Sequence, residues 1–226
     1  MNMEKLIDRH RYALPLLGLV AALAILVGMA GIAISFAGTA HAQSANSGAA
    51  DLQKIERHLR DINTLTANFV QTDRSNQQLS GKLMLKQPGR IRFEYQKDAE
   101  LLVVADGRAL TLIDYQVNQV QRWPIKESPL GALLDPKRDI TRYGRLLETG
   151  NSDVLSVEVK DTDRPEYGTI TMVFRRDASA PEGIELAGWV ALDSQNKRTT
   201  ISLSEHRYNR PIADSVFKWR DPRKSR

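Results

Sequence analysis

The sequence predicts a mainly β fold, an antiparallel sheet of about eleven strands that curls strongly, with helical pieces on its concave face. Three observations lead there. Residues 79–107, LSGKLMLKQPGRIRFEYQKDAELLVVADG, read as three short strands joined by the polar turns Pro88-Gly89 and Lys97-Asp98. Turn signals then recur at short intervals along most of the chain. Two segments, 51–63 and 128–136, interrupt that rhythm with helical character. A sheet this long rarely stays flat and open, and the helices are the natural plug for its concave side.

Taken in order, Leu52, Ile55, Leu59 and Ile62 recur at spacings of three and four and form the apolar stripe of a helix over 51–63, with Asp51 placed to cap it. Residues 64–72 follow as a strand with Leu65, Ala67, Phe69 and Gln71 on one side. In the meander, Gly81 precedes a strand at Leu83-Met84-Leu85. The next strand, 90–95, alternates strictly, Ile91, Phe93 and Tyr95 against Arg90, Arg92 and Glu94. The third is the nearly continuous apolar run 101–105, containing Leu101 and Val103. The expectation is one apolar face and one charged face. Strand five alternates Leu110, Leu112 and Asp114 with Thr111, Ile113 and Tyr115, and strand six, 119–123, stops at Pro124. Ser128 as cap, Pro129 in the first turn and Pro136 as terminator then frame a short helix with an apolar face of Leu130, Leu133 and Leu134. Residues 138–147 read as a second short helix or a loop. Five further strands are expected at 154–160, 169–176, 183–193, 198–207 and 213–220. Ile170, Met172 and Phe174 share one face, as do Leu186, Gly188, Val190 and Leu192.

Residues 1–50 stand apart from this pattern. Lys5, Arg9 and Arg11 precede a long apolar run, and Ala40-His41-Ala42 supplies a small-x-small cleavage site. This predicts a secretory signal peptide over 1–42, cleaved after Ala42, then a flexible start at 43–50, one domain at 51–222 and a basic tail at 223–226. The competing reading is a retained membrane anchor, because the run is long enough to span a bilayer. The 226-residue chain has no cysteine, which excludes disulfides, thiolate metal sites and a cysteine nucleophile. Net charge is +5, a mild excess compatible with anionic surfaces. The basic tail lacks the aromatic partners of a nucleic-acid arm.

Chemistry-bearing motifs are missing. The chain carries no G-x-S-x-G, H-E-x-x-H, phosphate-binding loop or dinucleotide fingerprint. Past residue 50 the histidines are His58, read as sitting on a charged helix face, and His206, near Ser202 and Ser204 on an alternating strand where outward-facing residues are the simpler account. Asp106, Asp135 and Asp139 lack metal-ligand spacing. No enzyme, metal or cofactor is expected. What remains is apolar surface, which by itself means a core.

Particular segments carry more. Asn68-Phe69-Val-Gln71-Thr, Gly81 to Tyr95 with its Pro88-Gly89 turn, Leu101-Leu-Val-Val-Ala-Asp106-Gly107, Ser128-Pro129-Leu-Gly-Ala-Leu133-Leu134, Asp193 to Asn196, and Asn209-Arg-Pro211 through Trp219 to Pro222 occur in order and at the spacing of one family. Over residues 51–222 the chain resembles the periplasmic outer-membrane lipoprotein carriers, the LolA-like proteins. The resemblance implies a half-open β-barrel covered by a helical lid, with lipoprotein acyl chains held between them. Leu52, Ile55, Leu59, Ile62, Leu130, Leu133 and Leu134 would line the lid, and Leu83, Leu85, Ile91, Phe93, Leu101 and Val103 the wall. It implies a monomer whose partners are acylated lipoproteins, an inner-membrane ATP-driven release complex and an outer-membrane receptor. The family usually has Arg before the meander proline, tied to cargo handover; here that position is Gln87, with Arg90 just past the turn. Alternatives are a lipid or lipoprotein sensor of the same half-barrel type, which usually has a second domain, a general lipid-binding protein, and a β-domain without a ligand.

Overall fold

Short strands of alternating side chains build a single eleven-stranded antiparallel sheet in the computed structural model, which describes residues 40–125, 130–134, 140–160, 165 and 168–224. The strands are β1 (Thr64–Thr72), β2 (Gln78–Lys86), β3 (Arg90–Tyr95), β4 (Leu101–Asp106), β5 (Ala109–Asp114), β6 (Gln119–Pro124), β7 (Gly144–Leu147), β8 (Val154–Lys160), β9 (Thr169–Arg176), β10 (Ile184–Leu192) and β11 (Arg198–Tyr208). Their order is β6-β5-β4-β3-β2-β1-β11-β10-β9-β8-β7. The chain meanders from the centre out to β6, resumes at the far edge with β7, and meanders back until β11 pairs with β1. Because β6 and β7 are sequential yet lie on opposite edges, the chain crosses from one edge of the sheet to the other between them. Helices α2 (Gly131–Leu134) and α3 (Ile140–Tyr143) lie on that crossing.

Curvature has a local cause in two glycines. A side chain at Gly81 would run into the Glu94 carbonyl of β3, and one at Gly188 into the Ile201 carbonyl of β11. Backbones approach so closely there that only glycine fits. Helix α1 (Ala40–Asp61) packs against α3, β7 and the 3-10 turn Pro181–Gly183. It begins well before residue 51, so Asp51 lies inside it and caps nothing. The predicted caps Ser128, Pro129 and Pro136, Asp135 and Asp139, most of the signal segment and the last two tail residues fall outside the described residues.

Eleven strands are present, but not the eleven expected. Residues 213–220 form no strand. They carry the 3-10 turn Asp214–Phe217, which lies against the convex side of β3 and β4. The missing member is β7, from the stretch read as helix or loop, which makes one helical turn and then a four-residue strand. The reason lies in β4. Val103 and Ala105 face the main core, while Leu102 and Val104 face a second apolar cluster with Ile113 and Phe217, flanked by Tyr115, Val120, Ile212, Val216 and Trp219. The convex face here is apolar too and needs its own cover. A second correction concerns β10. Its pairing with β9 shifts register between Leu186 and Gly188, so Leu186 and Trp189 both point inward instead of Leu186 sharing a face with Gly188.

The C-terminal strap over this convex cluster is also held by charge. Lys86 Nζ donates to Asp214 Oδ1 at 2.6 Å and to the Ile212 carbonyl at 2.8 Å, Arg90 pairs with the same carboxylate at 2.7 Å, and Arg92 reaches the Val216 carbonyl at 3.3 Å. The hydrogen bond from Lys86, reinforced by Arg90, holds the Asp214 carboxyl below its usual range. A depressed carboxyl contributes stability above its unfolded value, near pH 4, and loses it as pH falls through the native one. Asp214→Asn should therefore lower the midpoint of thermal unfolding at neutral pH, with the difference from wild type shrinking as pH falls through the native carboxyl's lowered titration. A difference independent of pH would show that Asp214 acts otherwise. Phe217→Ala should cost about 3 kcal/mol in denaturant unfolding, because it empties the centre of the convex cluster.

Candidate functional site

The concave face of the sheet and the inner faces of the helices meet in one apolar interior. Leu83 and Leu85 of β2, Ile91 and Phe93 of β3 and Val103 of β4 enter it from the wall. Ile55, Leu59 and Ile62 of α1, with Leu133 and Leu134 of α2, enter from the opposite side, and none of these ten is more than 9% exposed. Leu52 and Leu130 pack half-buried against the same cluster. Leu101 is half-buried at the end of β4 and belongs to neither apolar cluster. Sequence alternation thus brings together all but one of the predicted lining residues.

Aromatic rings give the interior its shape. Phe69 meets Phe93 and Tyr95 edge to face at 5.3 and 5.0 Å, and Phe93 meets Trp189 at 6.1 Å. The Tyr95 hydroxyl donates to Gln71 Oε1 at 2.6 Å, so this inward polar pair satisfies itself. Burial pushes the Tyr95 phenol up, which keeps it a donor.

Gln87 sits where wall and helices join. Its backbone N–H donates to the Asn63 carbonyl at 2.9 Å, just past α1. Its Oε1 accepts from the Gly89 N–H at 3.2 Å, and its Nε2 donates to the Leu133 carbonyl of α2 at 3.4 Å. One side chain therefore spans from the meander turn to α2. Arg90 points the other way, onto Asp214 of the convex strap. Of these two sequence candidates, Gln87 is the one that touches a helix over the interior.

Sequence reasoning missed His58. It lies on no charged face: its side chain is fully buried, between Phe174 at 5.5 Å and Tyr208 at 6.0 Å. The signal was present, since Ile55, His58 and Ile62 are spaced three and four apart and share the buried stripe. His58 Nδ1 donates to the Pro181 carbonyl at 2.8 Å, and Arg57 pairs with Glu182 at the same distance, clamping α1 to the 3-10 turn. Burial lowers the His58 pKa below its ordinary 6.5, against the opposing pull of the Pro181 bond, Asp61 and Glu182, so the ring is neutral at pH 7.

His206 was also read as outward-facing, and its side chain is 3% exposed. A bulge explains it. Asn68 pairs with Ser204 and Thr66 with Arg207, so Glu205 and His206 together oppose Ala67. Glu205 adopts a φ of 56°, and the inward parity of Ile201 and Leu203 passes to His206 and Tyr208. His206 Nδ1 then lies 3.0 Å from Glu185 Oε2, and Nε2 lies 2.9 Å from the Leu186 carbonyl. Ser202 and Ser204 remain exposed, opposite in direction to His206. Among the described residues, no cluster of His, Asp or Glu has the geometry of a metal site, and no helix is long and apolar enough to cross a membrane.

A family model described as outer membrane lipoprotein carrier protein LolA matches residues 60–220. The outer-membrane lipoprotein carrier protein of Xanthomonas campestris pv. campestris (strain B100) is 31% identical over 180 residues, covering 74% of this chain and 82% of the relative. That of Pseudomonas putida (strain W619) is 25% identical over 191 residues, covering 80% and 87%. A solved LolA superfamily protein from Nitrosomonas europaea is 11% identical, with a TM-score of 0.43 over 76% of this chain and 97% of that one. With the match running from the end of α1 through the convex strap, the chain belongs to the outer membrane lipoprotein carrier protein LolA family.

Proposed function

We propose that this protein is a non-enzymatic periplasmic carrier that holds the acyl chains of lipoproteins in the apolar interior between sheet and helices, and ferries them from the inner to the outer membrane. The observation that carries this reading is the interior itself. Its two sides come from separate elements, so it can be parted without breaking the β-sheet. Family membership and the names of the relatives support the same reading. Export by residues 1–42, donation by an inner-membrane ATP-driven complex and delivery to an outer-membrane receptor complete the proposal, with a monomer as the travelling form.

The physics requires little chemistry. One sixteen-carbon chain in water costs roughly 12 kcal/mol, at about 0.8 kcal/mol per methylene. A carrier must remove most of that cost yet hold cargo no better than a bilayer, or cargo would never leave. In the structure the helix residues fill the concave side themselves. An acyl chain that enters takes the place of Leu133 and Leu134 against Leu83, Leu85 and Phe93, an exchange of apolar for apolar that is nearly balanced. Energy need enter only at donation.

Native mass spectrometry of the protein recovered from a Gram-negative periplasm tests the reading. A stoichiometric acylated lipoprotein, released by detergent, is expected; a ligand-free monomer that also ignores added lipoprotein would overturn it. Leu133→Glu should abolish lipid uptake while far-ultraviolet circular dichroism retains the sheet, and unchanged uptake would count against the interior as the binding site. Gln87→Arg restores the residue usual in the family at the contact with the Leu133 carbonyl. It should raise transfer to an acceptor membrane, and an unchanged transfer rate would make the substitution at this position irrelevant to handover.

A further inference from the structure

Among the described residues, two buried polar atoms facing the interior have no hydrogen-bond partner, His58 Nε2 of α1 and the Tyr208 hydroxyl at the end of β11. They belong to neighbouring rings, 6.0 Å apart and nearly perpendicular, that pack with Phe174 into the apolar cluster. Their polarity is complementary. His58 Nδ1 faces a carbonyl and must carry the proton, so Nε2 is an acceptor. Burial pushes the Tyr208 phenol up, so its hydroxyl keeps a proton to give. The Leu186 N–H lies toward the phenol oxygen without reaching hydrogen-bond geometry, and the Leu186 carbonyl is engaged by His206 Nε2.

A buried polar atom without a protein partner is unfavourable for folding. Phenylalanine at position 208 would keep most of the packing without that cost. The chain instead turns Tyr208 inward through the Glu205 bulge and seats His58 on the one face of α1 that is otherwise aliphatic. Groups that are unfavourable for folding and held in place by special backbone geometry mark sites kept for binding.

We propose that His58 and Tyr208 form a polar subsite for the acyl linkage of the bound lipid, Tyr208 donating to the acyl carbonyl and His58 Nε2 accepting from an adjacent N–H or O–H. This rests on the acyl-carrier reading and adds to it a contact that positions the chain by its head. The chemistry is common to the N-acyl amide of a lipoprotein terminus and to partly acylated glycerol esters.

The test compares three ligands of matched chain length by displacement of a bound fluorescent dye: N-dodecanoylglycinamide, methyl dodecanoate and dodecane. They offer a carbonyl with an N–H, a carbonyl alone, and neither. Loss of one neutral hydrogen bond corresponds to about fivefold in affinity. Tyr208→Phe should weaken the amide and the ester about fivefold while leaving the hydrocarbon unchanged, with a thermal midpoint equal to or above wild type. His58→Phe should weaken the amide alone, and this arm separates an amide-bearing lipoprotein from a simple ester as the natural ligand. A Tyr208→Phe protein that melts lower and binds all three ligands in the wild-type ratio would overturn the subsite, while leaving the carrier reading intact. Wild-type protein that takes up none of the three would overturn both.

Discussion

The pairing of β1 with β11 is the contact on which the rest of the structure depends. Each half of the sheet is a meander of near neighbours, and such hairpins form locally. Only β1 against β11 joins the halves, bringing Leu65 beside Tyr208 and Phe69 beside Leu203. The same junction fixes α1. Asn209, one residue past β11, accepts from the N–H groups of Asn63 and Thr64 at 2.8 and 3.3 Å and donates to the Asp61 carbonyl at 3.2 Å. A single side chain thereby closes the end of α1 onto the centre of the sheet. The bulge that delivers His206 and Tyr208 to the interior lies in this pairing as well. Sheet continuity, helix placement and the polar groups of the interior share one origin.

The two faces of the sheet carry different demands. On the concave side, apolar side chains meet helices that come from outside the sheet, leaving a layer that can separate. On the convex side, the strap packs Phe217 against Leu102, Val104 and Ile113, and Lys86, Arg90 and Arg92 bind its carboxylate and carbonyls. Exposed ion pairs contribute little singly, so their value here is directional. They draw three cations of β2 and β3 to the back of the sheet, away from the concave side. An interior that takes hydrocarbon needs that separation, because a cation facing it would be desolvated without a partner.

Alternation made most of this legible. Strands β1 to β6 and β8 to β11 lie where period-two patterning puts them, and the stripe Ile55, Leu59 and Ile62 faces the interior as its spacing requires. The failures share a cause: each involves a residue whose direction depends on a partner remote in sequence. The apolar run 101–105 carried the sign of burial on both faces, but only the fold identifies residues 212–219 as what covers its back. A bulge reverses parity without leaving a strong local mark, so His206 and Trp189 were assigned to the wrong side. Strand β7 is four residues long, too short for any period to show. His58 was misjudged because its neighbour Arg57 is charged, although spacing already placed it with Ile55 and Ile62.

The helices over the interior are not equally held, and this difference gives the carrier reading its moving part. Helix α1 is fixed by Asn209 at its end, by the bond from His58 to Pro181, by Arg57 on Glu182 and by three fully packed aliphatic residues. Displacing it would break several hydrogen bonds and re-expose side chains worth about 1.5–3 kcal/mol each. Helix α2 is a single turn. Among the described residues its polar tie to the wall is the 3.4 Å bond from Gln87, and its anchors are Leu133 and Leu134. On the proposed carrier reading, an acyl chain entering beneath α2 would supply apolar surface in place of those two leucines, so the step would be nearly neutral there and strongly uphill at α1. On the same reading, parting would fall at α2, beside the Gln87 turn, while α1 keeps His58 and Tyr208 together at the sheet's centre. A wall that stays fixed and a cover that lifts from one edge are what an acyl chain needs to enter and to leave.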